Sequence, residues 1–207
     1  KMKIGNFGSL DPELKKRGIV GLANTSKLDE QIWGEYSQNW GKLANDAGDI
    51  LARYKEKPLD EIAEFDRSDL PEGKERMAFI KARINQSFFR KTILASYEYR
   101  CAVTGLPIKE LLVASHIVPW AKDEQNRLNP TNGICLNAFH DRAFDKGLMT
   151  ITPDFKIKIS KGVLDFEENK SVIDSLLCFE NKEILLPSKF YPNKEFLEYH
   201  NNIVFIK

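Results

Sequence analysis

One segment, residues 101–147, constrains more than any other how this chain can fold: CAVTGLPIKELLVASHIVPWAKDEQNRLNPTNGICLNAFHDRAFDKG. Its apolar run LLVASHIVPW contains a single histidine, His116, and predicts a strand stopped by a proline. A long polar loop follows, with Asn132 in an Asn-Gly pair that predicts a turn. The stretch NAFHDRAFDKG then predicts a short helix that carries His140 and ends just before Gly147. The order is therefore strand, loop and helix, with one histidine on each outer arm.

These residue types can support metal-assisted hydrolysis of a phosphodiester. A neutral imidazole near pH 7 can accept a proton from water. A second imidazole can ligate a divalent ion that stabilises the charge developing on the phosphate. An asparagine in the connecting loop can brace the first histidine through hydrogen bonds or ligate the metal itself.

At these residues the chain resembles the HNH endonucleases, whose nuclease core is the ββα-metal fold. The branch that it resembles reads C-x-x-T-G, A-S-H-I-x-P-W, N-P-x-N-G and H-D-x-x-F-D-x-G, and all four motifs are present in this order. The resemblance implies that His116 is the general base and His140 a metal ligand. Asn132 would orient the His116 segment or touch the metal. Asp141 is our first choice for a carboxylate ligand, and Asp145 could instead cap the helix or pair with a neighbouring cation.

The chain departs from the family pattern at two positions that affect metal binding. Many HNH enzymes have an Asp or His ligand just before the base, whereas this chain has Ser115, a poor ligand. Many also hold a structural zinc in paired C-x-x-C motifs, but here Thr104 replaces the second cysteine and Cys135 has no such partner. Too few thiolates remain for a tetrahedral site, so we expect no structural zinc and buried, apolar roles for Cys101 and Cys135. The expected catalytic ion is Mg²⁺, with Mn²⁺ as the alternative, because a hard cation prefers oxygen ligands.

Composition excludes several classes of protein. Hydrophobic residues make up 42% of the 207 residues and charged residues 29%, as in ordinary globular proteins. The formal net charge of +1 means that any nucleic-acid surface must be a local patch. Three scattered cysteines fit a reducing cytoplasm, and no apolar run reaches the length of a membrane span. No signal peptide opens the chain, and its start at Lys-Met-Lys is consistent with a fragment.

The N-terminal part, 1–72, is predicted to be a mostly helical region followed by a linker. Apolar residues recur at three- and four-residue spacing from 27 to about 54, which predicts one long helix. Three aromatic residues on its stripe are interpreted as core packing and not as a base-stacking platform: Trp33, Tyr36 and Trp40. The charged, proline-containing stretch 55–73 is interpreted as a linker, so the nuclease domain is expected to occupy 73–207.

An amphipathic helix is predicted in the most basic stretch, 74–100, which has seven basic and two acidic residues. Its basic face is either simply solvated or in contact with phosphates, which dominate affinity for nucleic acids. The sequence Q-x-x-F-R at Gln86, Phe89 and Arg90 matches the helix that precedes the cysteine in the branch described above. Arg127 in the loop either contacts phosphate or braces the loop. The candidate nucleic-acid-binding residues are Arg83, Arg90, Lys91, Arg100 and Arg127.

Beyond the motif, the period of the apolar residues changes from helical to alternating. Residues 148–159 predict a β-hairpin with a turn at Asp154, and 193–201 predict a terminal helix capped by Asn193. His200 lies in that helix without motif support and is expected to be structural or exposed. The predicted fold class is α+β: a ββα-metal core with N-terminal helices and a C-terminal hairpin plus helix.

The resulting prediction is a metal-dependent endonuclease that hydrolyses DNA, most simply double-stranded, with a restriction or defence role by resemblance only. One alternative is a DNA-binding module that has kept the fold and lost catalysis, which the serine before the base favours. A second alternative is a ribonuclease. A homodimer would account for cutting of both strands, although the sequence shows no legible interface.

Overall fold

Two compact units, 1–84 and 85–207, make up the chain in the computed structural model. The residues that the structure describes are 6–22, 24–62, 73 and 75–207. The predicted domain boundary at 72/73 and most of the predicted linker lie outside these residues. None of the helices in the described part of the chain combines the length and apolarity needed to cross a membrane.

The described part of the first unit is helical. The helix predicted from 27 to about 54 is in fact two helices, separated at residues 37–39. Asn39 starts the second of them because its side chain accepts a hydrogen bond from the backbone N–H of Lys42 at 3.1 Å. The helices are α1 (Pro12–Lys16), α2 (Lys27–Tyr36), α3 (Trp40–Lys55) and α4 (Leu59–Ile62).

The aromatic stripe on α2 and α3 is half-buried rather than fully enclosed. Trp33 stacks on Phe7 with ring centroids 6.2 Å apart. The hydroxyl of Tyr36 donates to Asp46 at 2.8 Å, which links α2 to α3. These contacts agree with a packing role for the stripe.

The predicted basic helix is α5 (Glu75–Ser96), which begins in the first unit and ends in the second. Within the second unit its apolar face is fully buried, with Phe89 exposed by 2% and Ile93 by 0%. The chain leaves the helix through two residues with left-handed backbone, Glu98 (φ 53°) and Tyr99 (φ 56°). The helix therefore ends four residues earlier than the basic stretch in the sequence.

The second unit contains the predicted ββα arrangement. Strands β1 (Leu112–His116) and β2 (Gly133–Asn137) pair antiparallel, with Ser115 opposite Ile134 and His116 opposite Gly133. Helix α6 (Ala138–Asp145) follows β2 directly and packs on both strands. Asn137 caps α6 by accepting a hydrogen bond from the backbone N–H of His140 at 2.9 Å.

Gly133 is needed for close packing rather than for a left-handed turn. Its backbone is extended, with φ of −134°, and Asn132 before it ends a short 3₁₀ turn, Pro130–Asn132. A Cβ at position 133 would lie 2.5 Å from Ile93 Cδ1 and 2.7 Å from Phe89 Cζ. Gly133 thus lets β2 approach α5, and Asn132 before it does not have left-handed backbone.

The C-terminal part confirms the predicted hairpin and terminal helix. Strands β3 (Met149–Ile151) and β4 (Ile157–Ile159) pair antiparallel. The remaining elements are α7 (Lys161–Leu164), α8 (Lys170–Ser175), a 3₁₀ turn (Leu177–Phe179), α9 (Lys194–Tyr199) and a π-helical turn (His200–Val204). Asn193 caps α9 as predicted. Helices combined with small antiparallel strand pairs confirm the α+β fold class.

His200 is a structural residue that joins three elements of the second unit. Its ring, 1% exposed, stacks on Phe144 of α6 at a centroid distance of 3.6 Å. Nε2 donates to the Phe144 carbonyl at 3.2 Å, so Nδ1 accepts from the hydroxyl of Thr150 in β3 at 2.8 Å. Burial lowers the pKa of His200 to about 4, against the raising effect of the carbonyl bond. A neutral imidazole therefore fits this position.

Candidate active site

His116, at the end of β1, is held in one orientation by three contacts. Its ring stacks on Phe89 at 4.0 Å and meets the edge of Trp120 at 5.4 Å. Nε2 lies 2.9 Å from the backbone carbonyl of Arg127. Because a carbonyl can only accept a hydrogen bond, Nε2 carries the proton and Nδ1 keeps a lone pair. The contacts thus fix the tautomer as well as the ring.

Electrostatics favour the neutral form of His116. Burial lowers the pKa of His116, and this effect exceeds the raising effects of the Arg127 carbonyl bond and of the Asp145 charge. A neutral imidazole with a lone pair on Nδ1 is the form that a general base needs near pH 7.

Asn132 organises the loop that follows His116. Its side chain is 1% exposed, and Oδ1 accepts a hydrogen bond from the Val118 N–H at 2.8 Å. Nδ2 donates to the carbonyls of Val118 at 3.3 Å and Asn126 at 3.2 Å, and the Asn132 carbonyl accepts from the Ile117 N–H at 3.0 Å. Through these bonds the Asn132 amide ties both ends of the loop together, and Asn132 lines neither of the two cavities that contain His116.

Arg127 braces the same loop, which was one of its two predicted roles. Its Nε donates to the Trp120 carbonyl at 2.8 Å, and Nη2 donates to Glu124 at 3.1 Å. The guanidinium lies over the Trp120 ring at 5.3 Å. Since the Arg127 carbonyl also holds His116, the side chain supports the base through its own backbone.

A cavity of about 300 Å³, here called the acidic pocket, brings His116 together with two carboxylates of α6. Asp141 and Asp145 lie four residues apart and thus on one face of the helix. The residues that line the pocket are Val113, Ala114, Ser115, His116, Pro119, Trp120, Asp141 and Asp145. Burial raises the pKa of Asp141, helped by the charge of Asp145 and opposed by the Ser115 hydroxyl. Burial also raises the pKa of Asp145, although Arg142, His116 and Lys146 oppose it.

The oxygen donors of the acidic pocket fit a hard divalent cation. Two partly desolvated carboxylates that repel each other gain stability from a cation placed between them. The buried Ser115 hydroxyl lowers the pKa of Asp141 but forms no hydrogen bond of standard geometry. No group of three or more His, Cys, Asp or Glu side chains is placed to hold a metal within the described ranges. However, proteins often bind Mg²⁺ through only one or two carboxylates, and waters and substrate phosphates are its other ligands.

The structure does not bring His140 into the acidic pocket. Its side chain is 3% exposed, with Nδ1 3.0 Å from Asn137 Oδ1 and Nε2 2.9 Å from the Ser175 carbonyl. The rings of Phe139 and Phe179 meet it edge-on at 5.4 and 5.5 Å. One step along a helix turns the side chain by about 100°. Asp141 can therefore face the pocket while the adjacent histidine faces the core.

Cys101 is buried as predicted, yet it is more than a small apolar side chain. Its Sγ accepts a hydrogen bond from the Asn137 N–H at 3.2 Å. Burial alone would raise its pKa, but hydrogen bonds from the His140 side chain, the Thr104 hydroxyl and backbone groups lower the pKa of Cys101 to about 7. Burial raises the pKa of Cys135 to about 12, reinforced by the charge of Cys101. Hydrogen bonding thus organises the C-x-x-T-G turn around the Cys101 sulfur.

Of the candidate nucleic-acid-binding residues, Arg90 lines a second cavity beside His116, described below. Lys91 and Arg100 are exposed and line neither cavity. The Arg83 guanidinium lies over the Phe79 ring at 4.9 Å in the first unit. Arg127 is engaged within its loop as described above.

Three residues at the site were not among the site residues that the sequence predicted: Asp145, Phe89 and Trp120. The four-residue spacing of Asp141 and Asp145 was a usable signal, because it puts both carboxylates on one helix face. Phe89 was visible as part of Q-x-x-F-R. Nothing in the sequence indicated that Phe89 would stack on His116.

Comparisons with known proteins found one family model and solved structures that are similar to this chain. Residues 101–152 match the family model HNH_2, described as HNH endonuclease. A solved structure described as "Modification dependent TagI restriction endonuclease" is similar at 17% sequence identity and a TM-score of 0.39, over 54% of this chain. The match spans 35% of that chain. No curated protein matches. The match of residues 101–152, which contain the ββα arrangement and the four sequence motifs, supports the assignment of this region to the HNH endonucleases.

Proposed function

We propose that this chain is a metal-dependent endonuclease that hydrolyses DNA phosphodiester bonds, with His116 as the general base. The observation that carries the proposal is the fixed tautomer of His116 beside two carboxylates in one pocket. The Nδ1 lone pair takes a proton from a water molecule as that water attacks the phosphorus. The family-model match of residues 101–152 supports a nuclease independently of this geometry.

The surrounding residues hold the base so that it does not reorganise during the reaction. Phe89 prevents the ring from tilting, and the Arg127 carbonyl keeps the proton on Nε2. Asn132 is a positioning residue in this proposal, since it fixes the backbone just after His116. Holding the base in a productive orientation lowers the free-energy barrier of the reaction, even though each of these contacts is weak.

Asp141 and Asp145 would hold the divalent ion, for which Mg²⁺ is our choice and Mn²⁺ the alternative. The bound ion would stabilise negative charge on the phosphate and on the leaving oxygen. Ligation by His140 stays a prediction: it requires the imidazole to break its bonds to Asn137 and Ser175 and to turn out of the core. Ligation by Asn132 would likewise compete with the loop hydrogen bonds of its side chain.

Double-stranded DNA is the proposed substrate, contacted through its backbone by exposed basic residues that include Lys91 and Arg100. We propose that the nuclease region begins with the basic helix, from residue 73. A role in restriction or defence is proposed on the four motifs alone. Cutting of both strands would need a second copy or a second binding event.

An inactive DNA-binding module is the second candidate, and Ser115 is the observation that favours it. The serine supplies no strong metal ligand at the position before the base. Such a module would bind DNA without cutting it and would gain nothing from Mg²⁺.

The test is cleavage of supercoiled plasmid with Mg²⁺ or Mn²⁺, with an EDTA control and a structured RNA offered in parallel. We expect metal-dependent nicking of the plasmid by the parent chain. Binding without cutting under every condition would contradict the proposal and favour the inactive module. Faster cutting of the RNA would favour the ribonuclease.

A further inference from the structure

A second cavity adjoins the acidic pocket and is not lined by its carboxylates. Its volume is about 320 Å³, near the lower limit for pockets that bind small molecules. Helix α5 contributes Gln86, Phe89 and Arg90, strand β1 contributes Val113 and Ala114, and the loop contributes Trp120. The two cavities share four lining residues: Val113, Ala114, His116 and Trp120. A group bound here would therefore lie directly beside the base.

The walls of this cavity combine the groups that bind a nucleotide. Trp120 offers a half-buried indole, and aromatic rings are platforms on which bases stack. Val113 and Ala114 supply apolar surface. The Gln86 side chain carries both a donor and an acceptor, as a base edge requires. Arg90, whose Nη2 has only a long 3.5 Å contact with the Lys109 carbonyl, supplies positive charge for a phosphate.

We propose that this cavity is a base subsite: it holds one unstacked nucleobase of the DNA strand next to the phosphate that His116 addresses. In this arrangement Trp120 stacks on the base, Gln86 contacts its edge and Arg90 pairs with an adjoining phosphate. The inference rests on the proposed function, because it names the form of DNA that the same site accepts. The volume of about 320 Å³ is compatible with one base.

The consequence is a preference for DNA in which a base is easily unstacked. Extruding a base from a duplex costs free energy, and the cost is least for mismatched, damaged or single-stranded bases. Fully paired duplex should therefore bind less well than the same sequence with a mismatch, gap or single-stranded stretch. Contacts with the DNA backbone alone would give the same affinity for paired and unpaired DNA of equal phosphate charge.

The test uses Trp120 as its own reporter, in the full chain with Trp33→Phe and Trp40→Phe so that one tryptophan remains. Two probes with equal phosphate charge are titrated in EDTA, an eight-residue oligothymidylate and an eight-residue abasic oligomer. We expect the oligothymidylate to quench Trp120 fluorescence and to bind roughly 10-fold more tightly than the abasic probe. Gln86→Ala should reduce this preference, whereas Gln31→Ala, a matched change on α2, should leave it unchanged.

Equal affinity for the two probes, or binding of the oligothymidylate without quenching, would overturn the inference. Because binding is measured without metal, the result does not depend on catalysis. If the chain cleaves plasmid but binds both probes equally, the proposed base subsite is wrong and the proposed nuclease activity is supported. If the chain prefers the oligothymidylate but does not cleave plasmid, the base subsite is supported and the proposed nuclease activity is wrong.

Discussion

The surroundings of His116 and of His140 differ although both histidines belong to the same motif. The Nε2 atom of His116 is bound to a carbonyl, whereas Nδ1 accepts no hydrogen bond from the described residues, and the ring lines two cavities. His140 has oxygen atoms within 3.0 Å of both ring nitrogens and is 3% exposed. One site can exchange a proton with a bound water, and the other is saturated by the fold.

This difference shows that a residue's place in a motif does not by itself determine its chemistry. Along α6 the turn of about 100° per residue separates His140 from Asp141. As a result, Asp141 lines the acidic pocket and His140 does not. Four predictions test the contrast, from the largest expected effect to the smallest.

His116→Ala should reduce the rate of plasmid cleavage by roughly 10²- to 10⁴-fold, the usual contribution of a general base. DNA binding, measured by fluorescence anisotropy, should be nearly unchanged, because the imidazole contributes to the chemical step. Added imidazole should restore part of the activity by entering the vacated space. Cleavage by His116→Ala at the parental rate would show that His116 is not the general base.

Lowering the pH should destabilise the protein through His200. The pKa of His200 is about 4 in the fold and about 6.5 when unfolded, so the unfolded state binds more protons between these values. Its stabilising contribution is therefore complete above pH 6.5 and lost as the pH falls towards 4. The loss is about 3 kcal/mol, from the size of the pKa difference. Urea unfolding at several pH values measures it, and His200→Gln should flatten this part of the profile.

Asp141→Asn should raise the Mg²⁺ concentration needed for half-maximal cleavage by roughly 10- to 100-fold, the range seen when groups that support a metal are lost. The amide is almost isosteric but lacks the charge that binds the ion. Asp165→Asn, at an exposed carboxylate outside the pocket, is the matched control and should not change the requirement. An unchanged Mg²⁺ requirement in Asp141→Asn would place the metal elsewhere.

His140→Gln should cost about 1 kcal/mol of stability, because a glutamine can restore a hydrogen bond in the core but not the edge-on ring contacts with Phe139 and Phe179. Thermal unfolding measures this loss. Cleavage by the folded fraction should stay close to that of the parent chain. A large loss of activity with little loss of stability would instead support His140 as a metal ligand.

Much of the fold could be predicted because local signals and tertiary structure agree. The run LLVASH forms β1, Gly147 adopts the left-handed backbone (φ 67°) expected just past a helix, and the alternating residues after it form the hairpin. The prediction of a single helix from 27 to about 54 was wrong because the helical spacing of apolar residues continues across residues 37–39. The side chain of Asn39 nevertheless caps a new helix there. Capping depends on one local hydrogen bond that the apolar pattern does not contain.

The sequence pointed to some residues of the candidate site but not to its geometry. The motifs identified His116, Asn132 and Asp141, which the structure places at or beside the acidic pocket. The burial of His140 depends on Ser175, which lies 35 residues further along the chain. The stack of Phe89 on His116 joins α5 to β1 in the same way. Such long-range contacts leave no mark in the local spacing of residues.

The most direct measurement of the central claim is a Mg²⁺ titration followed by NMR of the three histidine side chains. Uniform ¹⁵N labelling reports both ring nitrogens of His116, His140 and His200, which are all the histidines in the chain. The account predicts that His116 starts as the Nε2–H tautomer and shifts as Mg²⁺ binds, while His140 and His200 keep their positions. A shift centred on the His140 nitrogens, with His116 unchanged, would contradict it.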